Sequence, residues 1–326
     1  MQSLKMNTTG GSNTAVGLNS VLFNTSGSNN TGTGTSALQS NTTGSDNTAC
    51  GAQALLDNTT GGSNTAVGHE ALANNISASL NTAVGVDSLK LNTTGGSNTA
   101  VGTYSLQANT TAQFNVAVGV DSLGNNTTGN SNTAIGYEAM ETNTTGYSNV
   151  AVGYESLTSN TTGHRNVAVG IEALRLNTEG FYNVAVGTYA LDANTTGDNN
   201  VAIGMHSCGG NTTADNNTAL GHFALFTNAT GASNTAVGAN ALQNSTASNN
   251  TAVGKSALGT NTTGGDQVAI GGNALLSNTT GGSNTAVGAY ALDANTTGGS
   301  NTAVGKHALG ENTSGANNTG VGLHTL

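Results

Sequence analysis

Glu138, Glu155 and Glu172 stand 17 residues apart, and the same interval separates His307 from His324. Carboxylates and imidazoles at a fixed interval are raw material for two chemistries. Paired carboxylates do acid–base work on glycosidic bonds, and imidazole with acidic oxygen holds divalent metals. Glu70, Asp87 and Asp121 fall on the same series as the glutamates. Tyr104, Tyr137, Tyr154, Tyr189, Phe223 and Tyr290 fall on or beside it, which adds flat rings against which a sugar can stack. These rings, with Glu138, Glu155 and Glu172, are the candidate ligand-facing surface. Carboxylates spaced like neighbouring strands repel by ~1 kcal/mol in water before screening. They are therefore read as an exposed acidic stripe, with a weak divalent-cation site as the sharper alternative. His307 with His324, and His206 with His222, lack the further ligands of a structural metal site and are read as exposed. Serines recur without a recurring His and acid partner, so the sequence implies no nucleophilic catalysis, no enzyme, no metal site and no cofactor.

The interval belongs to the whole chain. Asn-Thr-Thr-Gly stands at 7, 41, 58, 92, 126, 143 and 160, degenerate copies fill the gaps, and the consensus is N-T-T-G-x-x-N-[TV]-A-V-G-x-x-[AS]-L-x-x. With its places numbered 1 to 17, fourteen copies start from Asn7 through Asn228. One residue is then lost between Leu242 and Asn244, and five more copies start at 244, 261, 278, 295 and 312, giving nineteen. The loss is assigned to the variable places 16 and 17, which marks them as a turn tolerant of length change. A unit this short cannot hold two helices, and its one apolar run is bounded by Asn and Gly, so each copy is one coil of a parallel β-solenoid. The expected fold is all-β: a single continuous array over residues 1–326 of 19 rungs, without recognisable caps. At strand spacing of ~4.8 Å it would be on the order of 90 Å long.

Each place in the repeat carries its own physics. Place 11 is Gly in every copy, from Gly17 to Gly322, which fits a corner with positive φ. Asn at place 1 in every copy, and at place 7 except for Gln267, predicts two stacked amide ladders. Place 15, Leu except at Val21, Met140 and Cys208, belongs inside. Place 9 is Ala in all but two rungs and place 10 nearly always Val or Ile; successive strand residues point to opposite faces, so both faces are apolar. One coil encloses one interior, so a second copy of the chain is expected to cover the other face. The small Ala or Ser at place 14 is expected at that close contact. Cys50 at place 10 and Cys208 at place 15 are read as buried small hydrophobes. Nine rungs apart, ~43 Å at strand spacing, they cannot form a disulfide, whose Cα limit is about 7 Å. The variable places 12 and 13 are the exposed corner.

Composition excludes several functions. Six Lys and Arg against 16 Asp and Glu, a net charge of −10, leave no basic patch for phosphates, so no nucleic acid is expected. No stretch approaches the ~18 apolar residues of a membrane span, and the N-terminal residues lack a signal-peptide apolar region, so no membrane insertion is expected. Place 1 opens an N-x-[ST] sequon in every copy except Asn177. Glycans ~4.8 Å apart would collide, and a ladder Asn is not free to accept one.

The run N-T-A-V-G-x-x-A-L, as at Asn64 to Leu72 and Asn284 to Leu292, resembles the head repeat of YadA-like trimeric autotransporter adhesins, approximately S-V-A-I-G-x-x-A-x-A. Similar arrays occur in tail-fibre-like proteins of phages and large viruses. The resemblance implies a left-handed β-roll with three chains packed side by side. It departs from the family in length, about 14 residues per unit there, and the coiled-coil stalk and membrane anchor of those adhesins are not among these 326 residues. The function expected is a structural or adhesive fibre segment, extracellular on a bacterial cell or virion, that gives length, rigidity and display. Its expected partners are itself, as a trimer, and a host-surface glycan or protein. Two alternatives stand beside it: a binding solenoid, for ice because Thr recurs at places 2, 3 and 8 or for carbohydrate through the corner rings, and a filament subunit stacked end to end, because Ser3-Leu4 and Thr325-Leu326 both fall at places 14 and 15.

Overall fold

β-branched residues flank a single Ala at places 8 to 10, and such residues favour the extended, half-buried surface of a strand. The computed structural model describes residues 2–325 and places one three-residue strand there in every copy, nineteen among the described residues, with no helix among them. The chain divides into two compact units, residues 1–164 and 165–326. The first holds β1 (Thr14–Val16) to β9 (Val150–Val152). Each strand pairs in parallel with the next and in register, so Thr14 faces Thr31 and Ala134 faces Ala151. The second holds β10 (Val167–Val169) to β19 (Thr319–Val321), paired the same way, with Ala168 facing Ala185. Each unit is a parallel β-solenoid.

Closure of so short a coil decides which side of the strand faces inward. The place-9 alanines, such as Ala117, Ala134, Ala185 and Ala202, are fully buried, whereas place 10 looks outward: Val16 is 58 % exposed and Ile135 41 %. Within the chain only the Ala face is covered, and the place-10 column, which the sequence reading set among the core columns with Cys50, is the one left open. Cys50 at place 10 is accordingly exposed, not buried; Cys208 is buried, its thiol pushed up to about 12 by desolvation, and both cysteines are free. Place 14 is corrected too. Ala71, Ser88, Ala139 and Ala308 are fully buried inside their own coils and face no second copy. The place-15 leucines lie inside as expected; Leu326 is outside the described residues.

Those leucines occupy an unusual backbone. Leu89 and Leu123 have φ of 51°, in the left-handed region. A non-glycine residue there costs roughly 1–2 kcal/mol, while burying a leucine side chain gains about 1.5–3 kcal/mol, so burial wins. Place 13 adopts the same conformation without burial, as at Glu138 (φ 52°), and is held instead by a rung-to-rung bond from its amide to the Val120 carbonyl at 3.0 Å. Glycine is invariant only at place 11, where φ is positive. At Gly119 φ is 136°, and a Cβ would lie 2.2 Å from the carbonyl oxygen of Gly136 in the next rung.

The two asparagine spines are buried and converge on one carbonyl per rung. Asn143 Nδ2 donates to Asn126 Oδ1 at 2.7 Å and to its own rung's Gly146 carbonyl at 3.0 Å. The same Gly146 oxygen accepts from Asn132, the place-7 residue of the preceding rung, at 2.8 Å. Place 7 therefore ladders through the backbone: the Asn149 amide donates to Asn132 Oδ1 at 3.0 Å. Both hydrogens of a place-1 amide are spent on buried bonds, which closes these sequons to glycosylation.

The missing residue lies elsewhere than the sequence suggested. Ser245, not Asn244, is the buried place-1 residue: its amide donates to Leu242 O, and its Oγ accepts from Asn261 Nδ2 at 3.1 Å. Thr246 hydrogen-bonds to Thr262 as place-2 residues do, and Asn244 is exposed at place 17. The residue lost is place 3 of the Asn-Thr-Thr-Gly turn. The strands are undisturbed, with Ala236 facing Ala252.

Candidate functional surface

Beyond the place-11 glycine the chain turns outward, and side chains at places 12 and 13 repeat at the rung spacing. Like groups therefore stack on like groups. In the first unit Tyr137 and Tyr154 stack at 5.5 Å with an interplanar angle of 10°, and Tyr104 is exposed on the same corner. In the second unit Tyr189, His206 and Phe223 form one column at 5.0 Å steps. Tyr290, His307 and His324 form another at 4.9 and 4.8 Å. Stacking has a chemical cost for sugar recognition: His206 has both ring faces covered, and Tyr137 and Tyr154 each have one face covered by the other.

The predicted acidic residues separate into different environments. Glu138 and Glu155 lie in the first unit beside Asp121, and they accept hydrogen bonds from the Tyr137 and Tyr154 hydroxyls, which pushes the Tyr154 phenol up to about 12. Burial, then repulsion from Glu138, raises the Asp121 carboxyl above its usual range. Glu172, in the second unit, is not a free member of a stripe, because Arg175 Nε lies 3.0 Å from its carboxylate as an ion pair. That nitrogen makes no hydrogen bond, so the contact is one of charge rather than alignment.

Sequence reasoning missed the contribution of place 16. Places 14 and 15 point inward, which leaves places 13 and 16 together on the outside of one turn. Lys90, Arg175, Glu141, Asp192 and Asp293 all occupy place 16 and act on place-13 groups. Glu141 is raised by burial and then by Glu138, and Asp293 lines a surface pocket with His307, Glu311 and His324. The signal was the i, i+3 spacing of charged residues across the inward pair. The threonines are less free than their regularity suggests: place-2 hydroxyls donate to the next rung's carbonyl, as Thr42 Oγ1 does to Thr59 O at 2.9 Å. The sequence matches no protein-family model and no curated protein.

Proposed function

We propose that the chain is a structural fibre segment that assembles with copies of itself through the outward strand face. The observation that carries this reading is the pair of columns at places 8 and 10. They contain only Thr, Val, Ile, Leu and one Cys, no charge, and they lie in register on a surface left open by the coil. At ~4.8 Å per rung, and ~7 Å between the two columns, each unit presents a flat strip of several hundred Å². A stable interface needs about 800 Å² per partner, so each unit supplies roughly half. A second copy is the occupant whose columns repeat at the same spacing and meet it rung by rung. In keeping with the resemblance to adhesin and tail-fibre repeats, the reading extends to a trimer displayed outside a cell or on a virion, where length and stiffness are the function. Among the described residues no helix is long and apolar enough to cross a membrane.

The test is sedimentation equilibrium of the full chain and of a Val118→Lys/Val152→Lys variant, both changes lying on the outward face. The parent is expected to be an oligomer and the variant a folded monomer with an unchanged circular dichroism spectrum. A monomeric parent at micromolar concentration overturns the proposal.

A further inference from the structure

One group on the exposed corner of the first unit stands apart from the stacked rings and acidic pairs. His69 at place 12, Glu70 at place 13 of the same rung and Asp87 at place 13 of the next bring one ligand atom each within 4.8 Å of one another. His69 Nε2 lies 3.8 Å from Glu70 Oε1, and its Nδ1 lies 3.9 Å from Asp87 Oδ1. We infer that these three side chains form a binding site for a divalent transition-metal ion of the zinc class.

Three features support it. The first is distance: bonds of ~2.0–2.2 Å from zinc to nitrogen and oxygen put tetrahedral ligand atoms about 3.4 Å apart. One imidazole nitrogen of His69 and one oxygen of each carboxylate lie within 4.8 Å of one another, and rotation of these partly or fully exposed side chains brings one nitrogen toward both carboxylates. The second is the arrangement of the carboxylates around Lys90. Its ammonium contacts the distal oxygens, Glu70 Oε2 and Asp87 Oδ2, the latter at 3.2 Å, so Glu70 Oε1 and Asp87 Oδ1 are left on the imidazole side. Two carboxylates and one ammonium sum to −1, which still favours a dication. The third is backbone support. Glu70 and Asp87 have φ of 54° and 57°, and the amide of Asp87 donates to the carbonyl of His69 at 3.0 Å. The two rungs that carry the three ligands are thereby tied to each other at the site itself.

The ligand set also states a preference. An imidazole with two carboxylates suits zinc, copper or nickel, whereas calcium and magnesium take all-oxygen shells. Three protein ligands leave coordination positions for water, or for a donor group on a partner.

Isothermal titration of untagged full-length chain with zinc chloride is the test, repeated with calcium chloride and with His69→Gln and Asp87→Asn variants. One zinc per chain is expected, with no calcium heat, and each variant should weaken zinc by at least ~10-fold, the scale of a lost metal-site interaction. Cobalt substituted for zinc should give a visible d–d absorption that disappears in His69→Gln. All three residues are partly or fully exposed, so circular dichroism of the variants should match the parent. Absence of zinc binding overturns the inference. Zinc binding that both variants retain also overturns it, and would point to His307 and His324 instead.

Discussion

Rungs 126–160 of the first unit and rungs 228–267 of the second are built on one consensus, yet their buried polar groups end differently. In the first, each place-1 amide passes a hydrogen bond to the rung before it, from Asn160 to Asn143 to Asn126. In the second, Ser245 interrupts the row, and Gln267 bends its longer side chain back to Asn261 Oδ1 and Gly264 O. The Gly264 oxygen is the one that Asn250 would reach in a regular rung, and Asn250 Nδ2 is left without a partner. Strand register is the same in both regions. The inward apolar columns hold the register, and the spines add to it without deciding it.

The largest effect should come from breaking what the two regions share. Ala134→Glu places a carboxylate in the fully buried place-9 column, where uncompensated charge costs several kcal/mol. The variant is expected to lose its strand signal by circular dichroism or to precipitate, and a soluble variant with parental stability would disprove the inward assignment. A smaller effect separates the ladder from its imitation. Asn143→Ala removes a donor and an acceptor from a buried row and should cost about 1–3 kcal/mol. Asn244→Ala, at a position that the sequence alone reads as the same place, should change stability by no more than ~0.5 kcal/mol. Urea midpoints of the two variants would measure the difference, and equal losses would refute the placement of Ser245 in the row. The smallest effect should be a gain. Gln267→Asn frees the Gly264 carbonyl for Asn250 and should stabilise the second unit by up to about 1 kcal/mol, seen as slower amide exchange at Thr251–Val253; faster exchange there would contradict it.

Much of this was legible in the sequence. The period, the strand at places 8 to 10, the positive-φ glycine column and the interior leucines follow from residue types that tolerate few environments. The sidedness of the strand was not read correctly, because Ala and Val are both apolar and three residues are too few for alternation to show. The clue was variety: place 9 is almost invariant Ala, as a narrow interior requires, whereas place 10 admits Val, Ile, Leu, Thr and Cys. The deletion was misplaced because Asn244-Ser245-Thr246 imitates the start of a repeat, and only the hydrogen bonds of Ser245 distinguish it. The partnership of places 13 and 16 needed knowledge of which residues point inward.

The tolerance of the Asn-Thr-Thr-Gly turn to a lost residue bears on how such a gene changes. Strand register follows the rung and not the residue count, since Thr235 meets Thr251 across the shortened turn as squarely as Thr14 meets Thr31 across a full one. Recombination between repeats that inserts or removes a whole copy leaves every column aligned, and a slip of one codon in the turn is absorbed where it occurs. Repeat number can therefore drift among related genes while the chemistry of each rung is preserved, so copy number can be selected separately from sequence.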